Sequence, residues 1–235
     1  MKIAILSDIH ANAEALSAVL KQCEIQKIDH YYILGDIVGY YFEPNQVISL
    51  LKPLNKTVIK GNHEDMLLDA INDKYYLNQV TFKYGIGLEV AIEKLNKEVF
   101  EWINSLPYEK CIKVEGLNIK LTHGNRYNWK EYLYPDTPSI ILNQYCSEDY
   151  DFIFTGHSHY PFLYNSGKCV LVNVGSVGMN KDFGGLASWC ILNTETKTVS
   201  MQKTPYNVTK LISKINNIDS PNKSYLISVL TRNNN

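Results

Sequence analysis

The chain has 235 residues, with 23 lysines and arginines against 24 aspartates and glutamates, a formal net charge of −1, and 45% hydrophobic and 20% charged content. That balance leaves no electrostatic footprint for long nucleic acids or anionic membranes. Length and composition are those of a globular chain with a sizeable core, expected to form one α/β domain over 1–235.

In chain order, 2–6 is an apolar, β-branched run that reads as a strand. It is too short for a signal peptide core or a membrane span, and Asp8 and His10 interrupt it. Residues 11–26 are amphipathic, with Ala15, Val19 and Leu20 on one side, and read as the crossover helix of a βαβ unit. A strand at 31–34, a helix at 44–51, a strand at 57–60 and a helix at 63–71 follow. Between 83 and 104, Leu88, Ala91, Ile92 and Leu95 recur near helical spacing and predict one or two helices, ended by Pro107. From Cys111 the pattern turns to strands: 113–114, 118–121, 152–154, 169–173, 187–192 and 198–203. Residues 165–167 and 193–196 read as hairpin turns, and the Asn-rich end after Arg232 as a frayed tail. The five cysteines are scattered without a C-x-x-C pair, which predicts free thiols in a reducing, cytoplasmic setting.

Five of the six histidines fall in short polar clusters: Asp8/His10, Gly35-Asp36, 61–64 with Asn62 and His63, His123-Gly124, and 156–159 with His157 and His159. Each cluster follows directly on an apolar run, so the side chains can gather along one sheet edge, where open α/β sheets place their sites. Taken singly, Asp8 suits a helix N-cap, Asp36 a turn, Asn62 an αL turn and His123 a satisfied core. Five clusters obeying one rule point instead to a metal site of carboxylate, amide and imidazole, without thiolate, suited to Mn, Fe or Zn. His30 lies outside the clusters at a strand entry and reads as structural or surface.

At these residues the chain resembles the calcineurin-like metallophosphoesterase superfamily, whose pattern runs D-x-H, G-D, G-N-H-E, H and G-H-x-H. The likeness is closest to small bacterial and archaeal phosphoesterases, through Gly35-Asp-Ile-Val-Gly-Tyr40 with Pro44-Asn45, Glu131-Tyr-Leu133, 173–178 and a C-terminal helical tail opening at Tyr206. The resemblance implies a four-layer αββα sandwich, two facing mixed β-sheets flanked by helices. It also implies two divalent ions (Mn, Fe, Zn or Ni). Asp8, His10 and His159 would hold one, Asn62, His123 and His157 the other, and Asp36 would bridge them. Here His157 and His159 are expected to diverge as opposite sides of an extended segment. The implied reaction is hydrolysis of a phosphomonoester or a small phosphodiester such as a nucleotide by a metal-bridging hydroxide, with His63, Asn62 and Asp36 as the catalytic set. His63 would stabilise the transition state or protonate the leaving alkoxide.

Departures from the pattern bear on substrate. The G-D-x-x-D-R-G of the superfamily's Ser/Thr protein phosphatases reads Gly35-Asp-Ile-Val-Gly39-Tyr40 here, so the acid that orients the catalytic histidine is missing. Loop changes introduce Arg126, Tyr127, Lys181 and Tyr41, the last beside the retained Tyr40, and all five are expected as substrate contacts through a phosphate clamp or base stacking. A small phosphorylated substrate is expected, without long nucleic acid or membrane, as monomer or homodimer. A non-catalytic scaffold of the same fold would first have eroded His63 and the ligands, all intact here. A nuclease would need an added DNA-facing domain or a basic run.

Overall fold

The computed structural model describes residues 1–125, 128 and 131–232. Among these described residues, nineteen elements run in the order β1 (Lys2–Leu6), α1 (Ala13–Gln26), β2 (His30–Ile33), α2 (Pro44–Leu51), β3 (Lys56–Val58), α3 (Asn62–Ala70), α4 (Lys74–Tyr84), α5 (Gly87–Lys94), α6 (Lys97–Ser105), β4 (Glu109–Val114), β5 (Leu117–Thr122), α7 (Ser139–Tyr145), β6 (Phe152–Thr155), β7 (Phe162–Asn165), β8 (Val170–Asn173), β9 (Leu186–Asn193), β10 (Thr198–Pro205), α8 (Val208–Asn216) and α9 (Lys223–Leu230). They form two five-stranded sheets, ordered β10-β9-β1-β2-β3 and β4-β5-β6-β8-β7. Both are mixed: β1, β2 and β3 run parallel with β9 antiparallel beside β1, and β5, β6 and β8 run parallel with β4 and β7 antiparallel at the edges.

Alternation along β1 explains the layering. Ile3 and Ile5 pack with Ile119, Leu121, Phe152, Phe154 and Val172 of the other sheet, so this face lies between the sheets. Ala4 and Leu6 pack with Leu16, Val19 and Val47 of α1 and α2 on the opposite face. Both faces are covered, and a strand covered twice must read as a continuous apolar run. On the outer face of the second sheet, Ile153 and Leu171 pack against Leu142 of α7. The architecture is the four-layer αββα sandwich.

Several elements differ from the sequence reading. The crossover helix begins at Ala13, because Asn12 rather than Asp8 caps it, accepting from the Ala15 N–H at 3.0 Å. The 83–104 region divides at Gly85 and Asn96: Gly85 closes α4 at φ +83°, and Asn96 caps α6 with its side chain. Neither α4, α7 nor β7 was legible from periodicity; α4 buries only Val80 and α7 only Leu142. Both expected hairpins form, β7 to β8 and β9 to β10. His30 opens β2 and bonds Thr57 Oγ1 at 3.1 Å, a structural role. All five cysteines are free thiols, and among the described residues no helix is long and apolar enough to cross a membrane.

Candidate metal centre

The parallel strands β1, β2, β3, β5 and β6 deliver their five clusters to one rim. Asp8, His10, Asp36, Asn62, His63, His123, His157 and His159 are all buried, none more than 6% exposed. Ligand atoms of Asp8, His10, Asp36 and His159 lie within 4.8 Å of one another, as do those of Asp36, His123 and His157. Asp36 belongs to both groups. The Asn62 Oδ1 lies 3.1 Å from His123 Nε2, which adds it to the second group.

The backbone is bent hard to achieve this. Asp8, His10, Asp36, His157 and His159 all have φ between +51° and +68°. That left-handed region costs a residue with a Cβ roughly 1–2 kcal/mol, so the strain is concentrated where the side chains must converge. It also corrects one expectation: His157 and His159 do not diverge as alternate residues of an extended segment. Two αL residues in succession around Ser158 turn the rings apart, and the Asn173 amide holds the turn by donating to the Gly156 carbonyl (2.7 Å) and Ser158 Oγ (3.0 Å).

Hydrogen bonding fixes the imidazole tautomers. His10 Nδ1 faces the Val38 carbonyl at 3.0 Å, His123 Nδ1 the Leu34 carbonyl at 2.7 Å, and His159 Nδ1 the Met179 carbonyl at 2.8 Å. A carbonyl only accepts, so each Nδ1 carries a proton and each neutral ring turns an Nε2 lone pair inward. Metal-bound histidines are oriented in this way. The inward lone pairs then meet other acceptors: His10 Nε2 to His159 Nε2 at 3.2 Å, His159 Nε2 to Asp8 Oδ1 at 3.1 Å, and His123 Nε2 to Asp36 Oδ2 at 3.3 Å. Asp8 Oδ1 is buried without a hydrogen-bond donor among the described residues. Acceptors packed against acceptors call for cations between them, so the donor set fits divalent metal.

Titration behaviour expresses the same demand for positive charge. Burial alone would raise the Asp8 carboxyl, but His159 and His123 hold it well below the ordinary carboxylate range. Asp36 is likewise held down by His123 and His63 against its burial. Against its burial, Asp36 and Asp8 push His123 up to about 10. Burial pushes His159 down to about 4 despite Asp8.

His63 is held differently. Its ring packs on His10 (4.7 Å), Tyr40 (5.0 Å) and Tyr84 (5.2 Å), and its buried Nδ1 has no hydrogen-bond partner among the described residues. Gly39 is the reason. At φ +89° it lies under the ring, where a Cβ would stand 2.2 Å from Nδ1. The missing acid of the sequence pattern is therefore replaced by contact, and burial keeps the imidazole neutral, down to about 3.

Glu64, which the sequence reading left without a role, ties the site together. Its Oε2 accepts from the Asp36 and Gly61 N–H groups at 2.7 and 2.8 Å, and its Oε1 from Ile37 and Val38 at 2.7 and 3.3 Å. A glutamate three residues after a helix N-cap is a capping-box signal, present in 61–64.

The proposed substrate contacts divide. Tyr41 is a correction: it is fully buried among Leu211, Ile215 and Leu226 of the C-terminal helices, so it faces core and not substrate. Tyr40 borders the site but is 9% exposed, its ring enclosed by His10, His63 and Tyr84. Lys181 is partly buried within electrostatic reach of Asp8 and Asp36, and burial lowers its ammonium. Arg126 and Tyr127 lie outside the described residues.

Comparison with known proteins gives concordant likenesses. The family model described as calcineurin-like phosphoesterase superfamily domain matches residues 1–197. An uncharacterized protein of Methanocaldococcus jannaschii is 33% identical over 232 residues, covering 91% of each chain. Among solved structures, a hypothetical protein of Pyrococcus horikoshii OT3 superposes with a TM-score of 0.84 at 24% identity, over 98% of this chain and 97% of its own. A metallophosphoesterase of Sphaerobacter thermophilus does so with 0.79 at 24%, over 98% of each. At that identity the two structures speak for the fold.

Proposed function

The chain belongs to the calcineurin-like phosphoesterase superfamily, and from that premise we propose that it is a two-metal hydrolase acting on a phosphomonoester or a small phosphodiester such as a nucleotide. The observation that carries this reading is the convergence of inward Nε2 lone pairs and carboxylate oxygens on one buried space. Asp8, His10, Asp36 and His159 would hold one ion, and Asp36, Asn62, His123 and His157 the other, drawn from Mn, Fe, Zn or Ni by ligand type. When bound, such a pair polarises a phosphoryl oxygen and makes a water acidic enough to supply the nucleophile near neutral pH.

The protein's own groups do the rest. Asp8 and Asp36 offset only half the charge of two divalent ions, which leaves the space attractive to a phosphate, and Lys181 adds to that field. His63 is a neutral imidazole beside the ligands. It donates a hydrogen bond toward the departing oxygen, and the negative charge arriving with the substrate raises its proton affinity. Packing by Tyr40, Tyr84 and Gly39 fixes the ring without a carboxylate.

The direct test is a panel of metal-reconstituted protein (Mn, Ni, Zn, Mg) against aryl phosphate, bis-aryl phosphate, cyclic nucleotides and dinucleoside polyphosphates. Failure to turn over any ester with any metal rejects the reading. His63→Ala should keep its metal content while losing about 10²–10⁴ in kcat; undiminished turnover of an alkyl phosphate would remove His63 from the mechanism. Chelation supplies a third check. Metal in hundredfold excess over its Kd stabilises the native state by about 2.7 kcal/mol, so stripping it should lower Tm by about 5–10 °C. Elemental analysis after reconstitution should give two ions per chain, and calorimetry without any change on chelation contradicts the site.

A further inference from the structure

With every proposed ligand and His63 buried, the organic part of a substrate must meet the surface around them, and that surface is aromatic. On one side Tyr84, the last residue of α4, sets its ring across His63 (5.2 Å) and Tyr40 (5.9 Å). On the other, Tyr132 lies flat on His157, centroids 4.4 Å apart and planes 5° apart. Tyr134 continues this stack at 6.0 Å and 23°, and Tyr160 stands edge-on to Tyr134 at 5.7 Å and 67°. Tyr132 and Tyr134 remain 40% and 39% exposed. His63 gives its backbone N–H to Asp36 Oδ1 at 2.8 Å, and the Asp36 carboxylate lies within 4.8 Å of the His157 ligand atom, so the two aromatic walls flank one site. Cations accompany the rings: Lys83 Nζ lies 4.8 Å over Tyr84, and Arg232 Nη1 lies 3.4 Å from the Tyr160 hydroxyl.

We infer that this site selects an ester whose alcohol carries a flat aromatic ring, and that Tyr84 and the Tyr132–Tyr134 stack are the selecting residues. The inference rests on the phosphoesterase reading above. Aliphatic walls would serve any apolar alcohol equally. A near-parallel ladder starting on a proposed ligand and ending exposed to solvent instead rewards a ring added in the same orientation, because offset stacking adds to area burial. The flanking cations suit the anionic end of the same molecule and the π-face of an incoming ring. A nucleoside and an aryl alcohol share this chemistry.

The experiment uses pairs matched in leaving-group acidity: benzyl against cyclohexylmethyl phosphate, and adenosine 5′-phosphate against ribose 5-phosphate. Each is offered as the monoester and as the methyl diester to metal-reconstituted enzyme. The ring-bearing member should be favoured about tenfold or more in kcat/KM. That ratio should fall to about twofold in Tyr134→Ala and Tyr84→Leu, both checked for metal content and thermal midpoint. A ratio is read because Tyr84 touches His63. Calorimetric binding of benzylphosphonate against cyclohexylmethylphosphonate should show the same preference without turnover.

Preference in both pairs supports the shared chemistry; preference confined to the adenosine or the benzyl pair supports it and names the source. Equal turnover within both pairs, or a preference untouched by both variants, overturns the inference and leaves the hydrolase standing. Absence of hydrolysis of every ester, with no phosphonate bound, removes the hydrolase reading and the inference together.

Discussion

Asp36→Asn is expected to cost at least about three orders of magnitude in kcat, about 4 kcal/mol of transition-state stabilisation, while leaving a folded protein. Asp36 is the one residue common to both ligand groups. Its Oδ2 stands 3.3 Å from His123 Nε2 and 3.7 Å from His10 Nε2, between the histidines of the two groups, while Oδ1 accepts from the His63 backbone N–H at 2.8 Å. Asparagine keeps the shape and the bond to His63. It loses the charge and the second anionic oxygen, which a bridging ligand needs. The separation is therefore clean: elemental analysis should find one ion or fewer per chain, thermal midpoints in chelator should stay close to wild type, and activity should not return in millimolar metal. Two bound ions with near-normal turnover would show that the carboxylate does not bridge.

How far this was legible in the chain depends on which physical signal each part leaves. The candidate metal-site residues were readable because Asp, Asn and His are out of character directly after buried strands, and five such interruptions on parallel strands must share a rim. The left-handed conformations at His157 and His159 leave no such mark, since αL is rare for any residue with a Cβ; only the fold shows that two succeed one another. Tyr41 failed as a substrate contact because its burial is decided by α8 and α9, some 170 residues further along the chain. Tyr84 and Tyr132 were given no role for the converse reason. Tyr132 was marked only through the Glu131-Tyr-Leu133 likeness and Tyr84 not at all, and only the approach of α4 and the segment after β5 brings them to His63 and His157. The short α7, covering the second sheet with one buried leucine, carries too few apolar positions to show a period.

Glu64→Gln is the second large effect, and it acts through backbone rather than through metal. The turn at 35–38 carries Asp36, and the turn at 61–64 carries Asn62 and His63. The two are in contact closely enough that a Cβ on Gly35, at φ +93°, would stand 2.3 Å from the Gly61 nitrogen. One fully buried carboxylate serves both, each oxygen accepting two N–H groups. An amide of the same shape has a single acceptor end. Whichever way it is turned, two buried N–H groups face an NH₂ donor instead of an oxygen, at about 1–3 kcal/mol for each group left unsatisfied. Thermal unfolding should drop by about 5–15 °C. Because the loosened turns hold Asp36 and Asn62, metal affinity should weaken about 10- to 100-fold, as for other residues that orient ligands. Excess metal should then restore much of the activity, since every ligand is still present, whereas it restores none in Asp36→Asn. A midpoint within 2 °C of wild type, together with an unchanged metal titration, would mean the two turns hold their geometry without this cross-link.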